Sequence, residues 1–362
     1  MTNRSKQTSG NWNETRVSSV LGIRYPIIQG PLGGLSTQRL AATVSNFGGL
    51  GSFGAHGLSP SSISEVIGQI RSLTAKPFAI NLWVSMEDQG ARTSNSAAFS
   101  RSLAPLAGHI QRLGGALPEH KAYTPTSFED QVRVLLDEEV PVFSFIFGIP
   151  PKDILEDCHT KGIITIGTAT TPEEAISLEQ AGVDLIVASG FEAGGHRGSF
   201  LLSGEDSLMG TFSLLPQAAD SVSIPVIGAG GIADARGVLA ALTLGAEGVQ
   251  IGTAFLASEE SGASATHRNA LLAGGVKRTS LTRGFTGRLA RGIHNQLMAE
   301  LTQKEVSILP YPLQRLLVKN LTTLAEREQL PELLQLWAGQ SVNLIKPLSA
   351  EVFLETLVSE LK

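Results

Sequence analysis

The chain has 362 residues, of which 42% are hydrophobic and 17% charged, and a formal net charge of −5. That length can bury a large core, and so low a charge excludes a disordered chain. The acid excess argues against a nucleic-acid groove or a basic membrane anchor, and no apolar run reaches the ~18 residues of a membrane span. The single cysteine, Cys158, excludes an internal disulfide and a Cys-based metal cage; it is expected as a half-buried thiol on a helix.

Residues 1–16 are polar and carry no apolar signal core, so a loose tail over residues 1–24 and a cytoplasmic location are expected. From Tyr25 the pattern becomes regular. The run Pro26-Ile27-Ile28-Gln29 stops in Gly30-Pro31-Leu32-Gly33-Gly34 and reads as a first strand, and residues 37–46 follow as a helix. Residues 48–54 are a second strand, 60–73 a helix with Ile63, Val66, Ile67 and Ile70 on one face, and 77–84 a third strand ending near Asn81. Between residues 85 and 126 the rhythm breaks into polar, Gly- and Pro-containing chain, an insertion of functional or lid type.

The alternation resumes with a helix at 132–139 and a strand at 140–147, then a helix at 151–160 and a strand at 162–168. Thr171-Pro172-Glu173-Glu174 reads as a capping box with Pro at the first helical position. Asp184 to Ser189 is the sixth strand. It hands over to Glu192-Ala193-Gly194-Gly195-His196-Arg197-Gly198, a glycine-rich loop around one imidazole. Residues 214–219 are helical, 224–231 form the seventh strand and its loop, 234–244 a helix and 248–256 the eighth strand. Eight apolar runs alternating with helices predict an α/β fold, a (β/α)8 TIM barrel over residues 25–275. The Rossmann spacing of glycines after the first strand is absent. Residues 276–362 are expected as a mostly helical extension that covers the barrel mouth.

Enzymes of this architecture keep their chemistry on the loops after the strands. His196 is the natural general base there, and a turn with a solvated histidine is the plain alternative. The turns Gly228-Ala229-Gly230-Gly231 and Gln250-Ile251-Gly252-Thr253 end the last two strands, where a barrel often holds a phosphate. A phosphate there implies a phosphorylated cofactor, and FMN suits the mouth. Gln29, Asn81 and Ser189 also end strands and can reach a flavin edge or merely cap their own loops. Of the seven histidines, His56 also follows a strand, whereas His109, His120, His159 and His267 sit in contexts that predict solvation. Arg278, Arg283, Arg288 and Arg291 hold an anionic substrate or form a solvated face. No histidine or carboxylate pair has metal-ligand spacing, so no metal is expected, and no serine elbow occurs.

These segments resemble the nitronate monooxygenase family. The likeness rests on Pro26-Ile-Ile-Gln-Gly-Pro31, Phe78-Ala-Ile-Asn81, Glu192-Ala-Gly-Gly-His196, Pro225-Val-Ile-Gly-Ala-Gly-Gly-Ile232 and Gln250-Ile-Gly-Thr253. It extends to Gly287-Arg-Leu-Ala-Arg-Gly-Ile293 and Trp337-Ala-Gly-Gln340. The resemblance implies noncovalent FMN and oxidation of alkyl nitronates, propionate-3-nitronate among them, by O2 to a carbonyl compound and nitrite. It gives His196 the role of catalytic base for nitroalkanes. It gives flavin contacts to Asn81, Gly194, Gly230, Gly231, Gln250, Gly252 and Thr253; Gln29 and Gly30, at the end of the first strand, are further candidates for cofactor binding. Ser189-Gly190 replaces the family's frequent Gln-Gly, which puts that flavin contact in question. The expected partners are a small nitronate and O2, with the protein a monomer or small homo-oligomer. FMN-dependent enoyl-ACP reductases share most of these motifs and form the alternative; a flavin sensor without turnover is a third.

Overall fold

In the computed structural model, which describes residues 11–121, 123 and 126–361, every predicted apolar run becomes a strand. These are β1 (Ile27–Gln29), β2 (Gly51–Gly54), β3 (Phe78–Trp83), β4 (Val142–Ile146), β5 (Ile164–Ala169) and β6 (Leu185–Ser189). After a short β7 (Gly195–His196) come β8 (Val226–Ala229) and β9 (Gly248–Ile251). Apart from β7 they are all parallel, in the order β1-β9-β8-β6-β5-β4-β3-β2. Leu50 N donates to Ile27 O at 3.0 Å, and Gln29 N to Leu50 O at 2.9 Å. Those bonds join the two ends of the sheet, so the strands form a (β/α)8 barrel with helices around it.

The expected helices form, with boundaries displaced by a few residues. Helix Phe128–Asp137 starts four residues earlier than the pattern at Val132 indicates, because Ser127 caps it. Thr171 accepts from Glu174 N, but Glu174 does not return a bond to the cap. Its buried carboxylate instead takes the N–H and hydroxyl of Thr170 and the N–H groups of Phe200 and Leu201. The predicted capping box is thus half a cap and half an anchor for the chain beyond His196.

Of the segment expected as a loose tail, residues 1–10 lie outside the described residues. Residues Arg16–Leu21 form a helix capped by Thr15. Val17, Leu21 and Ile23 pack on Ile28, Leu50, Val142, Ile166, Leu185 and Ile227, which close the barrel end opposite the loops that follow the strands. Burying such side chains stabilises by about 1.5–3 kcal/mol each. The helix is hard to see in the sequence because it is only six residues long and three of them, Val17, Val20 and Leu21, are apolar.

The insertion contains a helix, Ser96–Arg112, with Pro105 inside it. Its Leu106 and Ile110 pack against Leu317 and Leu321 of helix Leu313–Arg327. Chain 276–362 opens with β10 (Thr279–Thr282) and β11 (Ala290–Ile293), an antiparallel pair. The last helix, Ala350–Glu360, returns to the barrel, where Leu354 and Leu357 join its main core. Cys158 is fully buried and not half-buried, because its helix turns that face onto β5, and burial pushes its thiol up to about 11.

Candidate active site

The loop after β6 is held from three sides. β7 pairs antiparallel with β11, His196 opposite Ala290 and Gly195 opposite Arg291. Arg197, buried next to the histidine, donates to the carbonyls of Ser189, Thr170 and Ser207. Burial lowers the Arg197 guanidinium to about 10, so it stays charged at neutral pH. Glu192 accepts from Thr211 N at 2.9 Å and from Thr211 Oγ1 at 3.0 Å, at the start of helix Thr211–Ser221. A carboxylate at a helix N-terminus also gains from the helix dipole. The third side is the segment Trp337-Ala338-Gly339-Gln340. Gln340 N donates to Glu192 O at 2.9 Å, and a Cβ on Gly194 would lie 2.6 Å from Ala338 C and Gly339 N. Only glycine permits that backbone approach.

One cavity opens at the strand ends. His196, Asn81, Ser189, Gly30, Gly194, Gly230, Gly231, Gln250, Gly252 and Thr253 all line it. Gln29 does not. Its side chain is fully buried, its amide nitrogen donating to Gly30 O at 2.6 Å and its oxygen accepting from Ser52 N at 3.0 Å. A glutamine that points inward from β1 serves the β1–β2 junction, so its expected flavin contact is corrected to a brace.

The other groups keep atoms available. Asn81 Nδ2 donates to Ser144 Oγ at 3.0 Å across the β3–β4 pair, leaving its oxygen without a partner among the described residues. Thr253 Oγ1 accepts from Gly339 N at 2.9 Å, which leaves its O–H to donate elsewhere. Gly230 and Gly231 take φ values of 97° and 75°, the left-handed region that a tight turn after a strand requires. No side chain caps the first turn of helix Thr253–Leu256.

His196 Nε2 lies 2.9 Å from Thr286 Oγ1. Thr286 Oγ1 is also 3.2 Å from Arg288 O and 3.3 Å from Arg288 N. Burial, then the charges of Arg288 and Arg315, lower the imidazole to about 3, so it is neutral at pH 7. Its ring meets Trp83 at 4.9 Å and Trp337 at 5.5 Å.

The arginine cluster resolves into separate roles, and none of its four members lines the cavity. Arg283 pairs with Glu205 at 2.7 Å. Arg291 Nε donates to Phe191 O at 2.8 Å, in the histidine loop. Arg288 is clamped by Asp88 at 2.7 Å and by Ser85, with its cation 4.2 Å from the Phe147 ring and 5.5 Å from that of Trp83. The cation that does line the cavity is Arg315, which the sequence reading missed. It lies in the first turn of helix Leu313–Arg327, four residues after Tyr311, with no motif to mark it. His267 is likewise buried rather than solvated, its Nε2 3.0 Å from Trp337 O. His109 pairs with Glu300 at 2.7 Å, a link between the insertion and helix Gln296–Leu301. Among the described residues no group of three or more His, Cys, Asp or Glu could hold a metal ion, and no helix is long and apolar enough to cross a membrane.

Comparison with known proteins agrees with this arrangement. The family model for nitronate monooxygenase matches residues 14–360. A probable nitronate monooxygenase of Staphylococcus aureus strain JH9 is 41% identical over 353 residues, 97% of this chain and 98% of the relative. Among solved structures, nitroalkane oxidase from Streptomyces ansochromogenes superposes with a TM-score of 0.86 at 36% identity, covering 95% of this chain and 97% of that one. FabK from Thermotoga maritima follows a similar path, with a TM-score of 0.74, 28% identity and 96% of each chain covered. With the family model matched over nearly its whole length and a relative 41% identical over 97% of the chain, this enzyme belongs to the nitronate monooxygenase family.

Proposed function

We propose that the cavity binds FMN and that the enzyme oxidises alkyl nitronates, and nitroalkanes after deprotonation, with O2 to a carbonyl compound and nitrite. The observation that carries this reading is the placement of His196. It shares one cavity with the glycine turns after β8 and β9, and its Nδ1 has no protein partner among the described residues. The residues present suit a flavin phosphate and ring. The turn at Gly230-Gly231 and the uncapped first turn at Thr253 offer backbone N–H groups to an anion. Asn81 and Gln250 offer side-chain amides to the polar edge of a ring. Ser189 is short but stands on the same wall. Bound there, FMN supplies an electron acceptor for the substrate and a route for those electrons to O2.

The protein's own part is positioning and proton transfer. Thr286 has one proton to give. Donated to Arg288 O, it leaves the threonine oxygen free to accept from His196 Nε2–H. That tautomer puts the lone pair on Nδ1, the nitrogen with no partner. A neutral imidazole is the form that can remove an α-proton from a nitroalkane. Arg315, the cation on the cavity wall, stabilises the anion so formed, and the anion in turn raises the basicity of the histidine beside it. A nitronate arrives already deprotonated and needs only binding. Chain 276–362 supplies Trp337, Gly339 and Arg315 to the cavity wall and helps exclude water there.

The alternative is nicotinamide-driven reduction of an enoyl thioester, and the FabK superposition makes it worth a direct comparison. The purified protein should show a flavin spectrum and release nitrite from ethylnitronate in air. NADH should leave the flavin oxidised. Bleaching by NADH without nitrite release would transfer the assignment to the reductase reading.

A further inference from the structure

His56 has no part in the chemistry so far, yet the loops around it are shaped for it. It follows β2 at the barrel mouth, is buried, and lines the same cavity as His196. Its ring lies flat on Trp83, with centroids 3.9 Å apart and planes 4° from parallel. Space for it comes from Gly33, where a Cβ would sit 2.7 Å from the imidazole Cε1. Its Nδ1 is sealed from solvent with no hydrogen-bond partner. Its Nε2 has none among the described residues either, and is not sealed, so Nε2 is the nitrogen that faces the cavity.

An imidazole held in this way costs stability. Burying polar nitrogen without a partner is unfavourable by about 1–3 kcal/mol. Burial, then the charges of Arg315, His196 and Arg288, push His56 well below its ordinary range, so the ring is neutral. A neutral ring has one N–H donor and one lone pair. The group beside it is Arg315. Its guanidinium approaches within 3.8 Å of where a Gly57 Cβ would lie, and its one hydrogen bond among the described residues is to Tyr311 Oη at 3.5 Å. Among the described residues, a cation with no ion pair and an imidazole with no hydrogen bond therefore line one cavity, near enough for the charge of one to act on the other, with Trp83 stacked on His56 and edge-on to His196.

We infer that His56 is a substrate-positioning residue whose Nε2–H, beside Arg315, hydrogen-bonds an oxygen of the bound nitronate and so sets its orientation towards His196. This rests on the function proposed above. A site built to bind a polar group keeps a destabilising residue for that purpose, and removing the residue improves stability while spoiling function.

The test compares His56→Phe and His56→Gln with the parent protein. Phenylalanine keeps the stack on Trp83 and removes both nitrogens, whereas glutamine restores a donor. Three quantities are read: thermal midpoint, FMN dissociation constant, and KM and kcat for ethylnitronate. His56→Phe is expected to melt at or above the parent temperature and to hold FMN within about threefold. Its KM should rise about 10- to 100-fold, the loss of a hydrogen bond to a charged group, with kcat falling less. His56→Gln should recover part of that loss. An unchanged KM would overturn the inference, as would a lowered thermal midpoint, which marks a structural residue. Loss of FMN in place of substrate affinity would also overturn it. A parent protein that fails to bind flavin or oxidise nitronate removes the proposed function itself, an outcome read before any variant is made.

Discussion

At the residue scale the account turns on one imidazole and the hydroxyl behind it. In the proposed function His196 is needed where a carbon acid must be ionised and is dispensable where the substrate arrives ionised. His196→Asn should therefore keep FMN and lose turnover of neutral nitroethane by at least ~100-fold, the usual contribution of a general base, while losing far less on ethylnitronate. Steady-state nitrite release from both substrates measures this; equal losses would remove the base assignment. Thr286→Val removes the acceptor that fixes the tautomer. It should lower nitroethane turnover about tenfold and leave flavin content unchanged, as measured by absorbance and nitrite release. The free enzyme should show no acid limb near 6.5 in kcat/KM for nitroethane, because the imidazole titrates at about 3. The position of His196 at the cavity was legible in the sequence because a lone histidine among glycines after a strand has few structural uses. Gln29 was misread for a related reason. Its position at a strand end is right for a ligand contact, but the pleat turns its side chain inward, and a three-residue strand gives too short a pattern to show which way. Arg315 was missed because it lies on a helix whose cavity-facing side is decided by packing over long sequence distances.

At the element scale the histidine loop is a short strand borrowed by a sheet that forms outside the barrel. β7 has only two residues, and its register comes from β11, some ninety-five positions later in the chain by their numbering. No local pattern could announce that pairing, whereas the eight barrel strands were visible as separate apolar runs. The loop's other face is pressed against Ala338-Gly339. Gly194→Ala introduces a carbon at 2.6 Å from two backbone atoms, so either the loop or the C-terminal segment must move. The variant should lose flavin affinity and melt several degrees lower by differential scanning fluorimetry, even though alanine is the smallest change available. A variant that binds flavin and melts like the parent would show that this contact is slack. The insertion illustrates a different loss of legibility. Polar residues and Pro105 masked helix Ser96–Arg112, whose apolar face is paid for by helix Leu313–Arg327 rather than by the barrel.

At the scale of the whole molecule, the barrel is closed at one end by an apolar plug, and at the other Arg315, Trp337, Gly339 and Ser341 line the cavity wall. Three histidines, the buried His56 and His267 and the half-buried His196, have depressed pKa values, each with desolvation as the largest cause. The sign follows from proton binding: below 6.5 the unfolded chain takes up protons that the folded chain refuses. Stability from this source is complete above 6.5 and falls as the pH drops from there towards 3, where His196 titrates. Urea unfolding midpoints at pH 7.5, 6 and 5 should decrease in that order, and a midpoint constant across the series would contradict the buried neutral state of these rings.

The most direct test of the central claim is an anaerobic titration of the purified protein with ethylnitronate, followed in the visible region. The account predicts a yellow protein whose visible flavin absorbance is bleached by the nitronate and restored by air with release of nitrite. A protein that stays colourless after incubation with FMN, or whose flavin remains oxidised in excess nitronate, would contradict it.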